Sequence, residues 1–312
     1  QAIDQLKLPH EDINERSLLD LPSLLKRARW VQSLVKHKIP RKKAYETVME
    51  LETLNLPLLF IDPFATSYIH RSAHLYRTCD IIKDLQSGKF QFFLLLNRRS
   101  GSNKDPVIGQ GRYAVLKTAI NLDSSDKVAV RIIGLGPHRS MLTREASLYE
   151  MTQDVEGVIP SYGCSRLVSK KTRILKQRQF QLLCDCSLAE ALSRCLFTPE
   201  QQKDIALQLI KGLNAFHAKG LIHRDLKPDN ILLKFIAAGI KAYLGDLGLS
   251  CELTDAEARY NVVGNLYSFA PEYARAYVEK DLAAASKVTV PSLDIWGLGM
   301  IFTDLFRSQL TK

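Results

Sequence analysis

The sequence predicts an α+β fold: a mainly helical first third, then a strand-rich segment, then a helical one. Three observations predict it. Apolar residues recur at helical spacing in the first third, β-branched and aromatic runs follow residue 105, and residues 198–220 spell a capped amphipathic helix. At 312 residues the chain is long enough for a sizeable core and for two lobes or domains. Its 46% hydrophobic and 24% charged residues are those of an ordinary soluble globular protein.

In the first third, Leu21, Leu24, Leu25, Ala28, Val31, Leu34 and Val35 form one apolar helical stripe, which Pro40 ends. Lys26, Arg27, Arg29, Lys36, Lys38, Arg41, Lys42 and Lys43 fall in the same stretch with no acid among them. The net charge of +10, from 43 Lys+Arg against 33 Asp+Glu, agrees with an anionic partner for residues 26–43. The simpler reading is the solvated face of a helix, and nucleic acid is not the expected partner. "RRSGSNKD" (98–105) is polar and Gly/Ser-bearing, the best linker. The expected division is therefore a helical region 1–104 of unread role and a second domain 105–312.

Several function classes drop out early. No apolar run approaches the roughly 18 residues of a membrane span. No secretory signal is visible, although the chain begins with Gln1 rather than Met. The six cysteines, Cys79, Cys164, Cys184, Cys186, Cys195 and Cys251, form no C-x-x-C, and no His cluster has zinc spacing. Reduced thiols of a cytoplasmic protein are expected rather than metal or redox chemistry.

After residue 105 the texture changes. "KVAVRII" (127–133) and "RQFQLLC" (178–184) read as buried strands. Thr198 caps the helix that follows, Pro199 sits in its first turn and Gln201 completes a capping box. Ala206, Leu209, Ile210, Leu213 and Phe216 form its stripe, and Gly220 stops it.

The chemistry begins there. In "GLIHRDLKPDNILL" (220–233), apolar runs enclose His223, Arg224, Asp225, Lys227, Asp229 and Asn230. Charges so close to a core are costly unless paired or used. Upstream, "IGQGRYA" (108–114) sets Gly109 and Gly111 about Gln110, where backbone N–H groups can approach a polyphosphate. "TREASLYEM" (143–151) is a helical segment carrying Glu145, and "AYLGDLGLS" (242–250) puts Asp246 at a strand end. Asn230 and Asp246 could share oxygen ligation of Mg²⁺, which takes few protein ligands plus phosphates.

In their order and spacing these elements resemble the eukaryotic-type protein kinase family, serine/threonine branch, from about Pro106 onward. "HRDLKPDN" matches the catalytic loop H-R-D-x-K-x-x-N in full. Asp246-Leu247-Gly248 is similar to the family's D-F-G. Ala270-Pro271-Glu272 resembles its A-P-E, and "SLDIWGLGMIF" (292–302) the following helix, whose Asp294 would tie back to the catalytic loop. The resemblance implies a bilobal protein-kinase-like fold: a small antiparallel β lobe (about 105–186) and a partial helical large lobe (about 187–312). It implies ATP and Mg²⁺ as cofactors and a protein as substrate. Asp225 would be the catalytic base, Lys227 would neutralise the moving phosphoryl group, and Asn230 and Asp246 would hold the metal. Leu116 and Ala129 would meet the adenine, with backbone groups of Leu183, Cys184 and Asp185 as the hinge.

The pattern breaks at one place. The family's third strand reads V-A-I-K, and its lysine serves the α/β-phosphates and pairs with a helix glutamate. Here it reads Val128-Ala129-Val130-Arg131. Arg131 can still pair with Glu145, but its planar fork is not a compact ammonium. Lys127 lies about 13 Å back along the strand, and alternation points Lys117 to the face opposite Leu116. Ala114 and Asn265 are milder departures. The expectation is a kinase whose activity Arg131 reduces, with a nucleotide-binding or scaffolding pseudokinase as the alternative. Arg224 implies a receiver for an activation-loop phosphate on Ser250, Thr254 or Tyr260. The chain stops soon after residues 292–305, so it reads as a fragment exposing Trp296, Met300, Ile301 and Leu305.

Overall fold

The computed structural model describes residues 21–37, 39–52, 67–72, 77–83, 90–95, 107–110, 114–135, 139–168, 175–194, 197–264 and 268–307. They fall into two compact units, 1–135 with 162–181, and 136–161 with 182–312.

The first unit contains helices α1 (Leu21–Lys36) and α2 (Arg41–Glu52) and strands β1 (Ser67–Ser72), β2 (Arg77–Lys83), β3 (Phe90–Leu95), β4 (Val107–Gln110), β5 (Ala114–Asn121), β6 (Lys127–Leu135), β7 (Ser161–Val168) and β8 (Leu175–Leu182). They make one eight-stranded sheet in the order β1-β2-β3-β5-β6-β8-β7, with β4 beside β5. One edge of β5 has two successive antiparallel partners: β4 along Val115–Lys117 and β3 along Ala119–Asn121. The helical reading of residues 1–104 therefore holds for α1 and α2 and fails for 67–95. The cause is local. "FQFFLL" is buried on both faces, so its apolar run does not alternate and carries no strand signature.

Both faces of β3 are in use. On one, Phe92 and Leu94 join Ile81, Ile120 and Leu122 beneath Trp30, Val31, Leu34, Ala44 and Val48 of α1 and α2. Trp30 Nε1 also donates to Asp123 Oδ1 at 2.8 Å. On the other, Phe93 and Leu95 meet Ile82, Ala119, Val128, Val130 and Phe180. This second face curls until the far ends of the sheet meet. Asp80 of β2 accepts from Ser165 Oγ of β7 at 2.5 Å and from Arg178 Nη1 of β8 at 2.9 Å. Burial pushes the Asp80 carboxyl up, against the pull of Arg178 and Ser165. Gly163 (φ +112°) sits where a Cβ would lie 2.8 Å from Ile82, so β7 approaches β2 only without a side chain. A boundary at 104 therefore does not divide the protein: 67–95 and the strands after 107 share one sheet and one core. The expected linker 98–105 lies outside the described residues.

The second unit holds α3 (Arg139–Met151), β9 (Cys186–Ser187), α4 (Leu188–Arg194), α5 (Pro199–Ala218), β10 (Leu221–Ile222), β11 (Ile231–Ile236), β12 (Gly239–Leu244), β13 (Cys251–Glu252), α6 (Ala256–Tyr260), α7 (Pro271–Glu279), α8 (Leu282–Val288) and α9 (Pro291–Leu305). α3 thus groups with the larger unit rather than with the small lobe. The capping box of α5 forms as read, with Gln201 N donating to Thr198 Oγ1 and Thr198 N to Gln201 Oε1. Its buried face is Ile205, Ala206, Leu209, Leu213 and Phe216, whereas Ile210 faces solvent. On α9, Trp296 and Met300 are exposed as expected, but Ile301 and Leu305 are buried. Those two join the core that contains the α5 face. Among the described residues no helix is long and apolar enough to cross a membrane.

Candidate active site

Residues 223–230 are slung between two buried strand pairs. β10 pairs with β13 through Ile222 and Cys251, and β11 leaves through the Ile231–Leu244 pair with β12. The loop hangs on Asp294 of α9, a carboxylate 1% exposed. Its Oδ2 accepts from His223 N (2.7 Å) and faces His217 Nε2 (2.8 Å), and its Oδ1 accepts from Arg224 N (2.8 Å). His223 is fully buried, with Nε2 2.9 Å from Gly245 O and Nδ1 3.4 Å from Asp225 N. Donation from Nε2 to that carbonyl leaves Nδ1 to accept from Asp225 N. Sequence reading anticipated Asp294 and missed His217, which carries no signal beyond its place at a helix end.

An acid, a lysine and an amide of the loop come together. Asp225 Oδ2 accepts from Lys227 Nζ at 2.7 Å and from Asn230 Nδ2 at 2.9 Å. Asn230 Nδ2 also donates to Asp225 O at 2.8 Å. Asp225 Oδ1 is buried with no hydrogen-bond partner. A buried acceptor left unmatched is costly, and it is the natural place for a donor brought by another molecule.

Strand register brings in Asp246. Ile231 and Leu244 are cross-strand partners, and Gly245 N donates to Asn230 O at 2.8 Å, so Asn230 and Asp246 flank the open end of one hairpin. Asp246 is left-handed (φ 53°) and accepts from Gly248 N at 3.3 Å. Leu247 N in the next turn donates to Tyr149 Oη of α3 at 3.3 Å. With Asn230 Nδ2 engaged on Asp225, its amide oxygen and the Asp246 carboxylate are hard oxygen donors of the kind Mg²⁺ takes. Two such ligands suit an ion completed by phosphate oxygens. Among the described residues no group of three or more His, Cys, Asp or Glu would hold a metal by itself.

The remaining nucleotide-side residues divide between the units. In the first, Gly109 opposes Leu116, Leu116 opposes Arg131 and Thr118 opposes Ala129, which sets Leu116, Ala129 and Arg131 on one face. Lys117 opposes Val130 and takes the other face, so it does not stand in for Arg131. Gln110 pairs with Val115 through its backbone, and Gly111 lies outside the described residues. In the second unit, Glu145 is buried on α3. Leu183, Cys184 and Asp185 join β8 to β9. Asp185 N donates to Leu233 O, and its carboxylate accepts from Phe235 N (2.8 Å) and Lys234 Nζ (3.2 Å). Burial pushes the Cys184 thiol up to about 12, so it stays a thiol at neutral pH.

Arg224 turns into the segment that follows Asp246. It is 5% exposed and left-handed (φ 65°). Its Nε donates to Leu249 O at 2.7 Å, and its Nη1 to Ala258 O at 2.6 Å and Asn261 O at 3.3 Å. Burial draws its pKa below the ordinary value. Gly264 (φ +116°) lies against it, where a Cβ would come 2.6 Å from Arg224 O. Ser250 is 1% exposed and donates to His223 O, whereas Thr254 and Tyr260 are exposed.

A family model described as the protein kinase domain matches residues 102–311. The serine/threonine-protein kinase STE20 of Candida glabrata is 27% identical over 205 residues, 65% of this chain and 20% of that protein. The serine/threonine-protein kinase dst4 of Dictyostelium discoideum is 26% identical over 208 residues, 65% of this chain and 40% of its own. The liver/testis phosphorylase b kinase gamma catalytic chain of Rattus norvegicus is 25% identical over 217 residues, 65% of this chain and 50% of its own. The chain thus matches between a fifth and a half of these relatives' length.

Proposed function

Because the chain belongs to the protein kinase family, we propose that it transfers the γ-phosphate of ATP, with Mg²⁺, to a serine or threonine hydroxyl of a protein. One observation carries the reading: Asp225 holds one carboxylate oxygen on Lys227 and Asn230 and keeps the other buried and unmatched. A substrate hydroxyl donating to Oδ1 would have its proton accepted there as its oxygen bonds to the γ-phosphorus and the bond to ADP breaks. Lys227, 2.7 Å from the same carboxylate, puts a positive charge beside the transferred group. Asn230 and Asp246 would hold the metal, which when bound neutralises phosphate charge. Leu116, Ala129 and Gly109 share a sheet face that would take the nucleotide.

Arg131 supports the second reading, a pseudokinase that binds nucleotide or serves as a scaffold. The four-residue cluster supports the first, because binding alone does not need a base. Among the described residues, the free thiols of Cys184 and Cys251 fit a reducing, cytoplasmic setting. The exposed Lys26, Arg29, Lys36, Arg41, Lys42 and Lys43 suit an anionic partner met through charge alone, since both helices bury their apolar side.

The test is transfer of labelled γ-phosphate by the full chain. Wild type should transfer label and Asp225→Asn should lose about 10²–10⁴-fold. Label that persists in Asp225→Asn would refute the assignment of the base. Label only in Arg131→Lys would establish the second reading.

A further inference from the structure

We propose that Arg144 and Asp255 are positioning residues that set the segment between Asp246 and Glu272 in its working arrangement without phosphorylation. The inference rests on the kinase reading and names how that site is regulated.

The residue that would receive a phosphate is already engaged. Arg224 Nε is on Leu249 O and its Nη1 on Ala258 O and Asn261 O. A guanidinium grips a phosphate through a pair of neighbouring N–H donors, either Nε with Nη2 or Nη1 with Nη2. Each pair here has one member committed to a carbonyl of the segment itself. A phosphate could take either pair of Arg224 only by stripping the segment of bonds that shape it.

A carboxylate of the segment itself pairs with a cation of α3. Asp255 Oδ2 lies 3.0 Å from Arg144 Nε on α3, with both side chains about a quarter exposed (28% and 26%). Its Oδ1 accepts from Ala258 N at 2.9 Å and caps α6. One side chain therefore ties the segment to α3, the helix whose Tyr149 meets the turn after Asp246.

Bonds that need no added charge complete the rest. Leu253 N donates to Gly220 O (2.7 Å), and Ile222 pairs with Cys251. Arg259 donates to Ser286 O (2.8 Å) and Thr289 O (3.1 Å), and Val263 N donates to Tyr273 Oη (3.0 Å). Ser250 is buried in this framework and out of a modifying enzyme's reach.

The experiment uses the full chain, phosphatase-treated and shown by intact mass to carry no phosphate. Hydrogen exchange of peptides spanning 249–263 reads the segment without requiring turnover. They should be protected, and phosphatase treatment should leave the transfer rate unchanged. Arg144→Ala and Asp255→Asn, which keeps the cap acceptor but not the charge, should each speed exchange by at most about fivefold, the range of a partly exposed pair. The double variant should do no more than either single. Asp255→Ala also loses the cap and should reach up to about thirtyfold. In transfer assays kcat should fall with the KM for ATP unchanged. Fast exchange in unphosphorylated wild type would overturn the proposal. So would a rise in transfer on phosphorylation of Thr254 or Tyr260, or single-variant effects that multiply. Protection without transfer in either wild type or Asp225→Asn would refute the kinase reading while leaving the pair's role intact.

Discussion

Asp80→Ala tests whether the first strands belong to the catalytic domain's own framework. Asp80 is fully buried and Arg178 is 8% exposed, so solvent screens the pair little. Removing the carboxylate breaks the buried Arg178–Asp80 pair, which costs about 3–5 kcal/mol. In a unit of this size each kcal/mol lowers Tm by about 2–4 °C, so a fall of about 6–20 °C is expected. Thermal unfolding followed by calorimetry measures it. The triple change Asp80→Leu, Arg178→Met, Ser165→Ala removes charges and polar partner together and should come within about 1–2 kcal/mol of wild type, or exceed it. The pH dependence has a definite sign. Burial holds the Asp80 carboxyl above its ordinary 3.8, so the folded protein keeps a proton that the unfolded chain has lost. The resulting contribution to stability is complete below that value and is lost as pH rises through the folded-state value. Wild type should therefore lose ground against the triple variant as pH rises above about 4. An Asp80→Ala protein within about 1 kcal/mol of wild type, or a triple variant as damaged as the single, would refute the reasoning.

Two further perturbations act on the catalytic loop. Asp294→Asn replaces an acceptor by an amide donor among His223 N, Arg224 N and His217. One buried N–H loses its partner, and stability should fall by about 1–3 kcal/mol in urea titration, with loss of transfer. Gly264→Ala drives a Cβ to 2.6 Å from Arg224 O at φ +116°. Circular dichroism should show a folded protein destabilised by about 1–3 kcal/mol, and transfer should drop because Arg224 is displaced.

What was legible in the sequence was what short-range chemistry determines. The capping box at Thr198 and Gln201 involves residues three apart, and the loop 223–230 is one contiguous motif, so both were readable. Lys117 was placed correctly because a strand alternates whatever its partners are. The strand β3 was not read, because burial on both faces erases alternation, and its pairing with β5 accounts for that burial. Asp80 carries no signal of its pairing in the sequence, since Arg178 lies 98 residues away. The engagement of Arg224 was hidden for the same reason. Its motif marks it as a phosphate receiver, and only the folded segment shows carbonyls already there. Contacts distant in the chain decide between two uses of one side chain.

That distinction bears on where the catalytic domain begins. The family match starts at residue 102, yet the sheet it contributes to is closed by residues before it. A chain beginning at 102 would lose β3, leaving Ala119–Asn121 without a partner on that edge. It would lose Ile82, Phe93 and Leu95 from one core, and Ile81, Phe92 and Leu94 with α1 and α2 from the other. At about 1.5–3 kcal/mol for each of those six strand side chains, the loss is about 9–18 kcal/mol, more than many whole domains possess. The buried Arg178–Asp80 pair would be lost as well. Such a chain should aggregate or fail to melt cooperatively, whereas the full chain should give a single well-defined transition for this unit. Cooperative melting of residues 102–312 within a few degrees of the full chain would show that α1, α2 and β1–β3 only decorate the fold. Its failure would make them part of the domain's foundation.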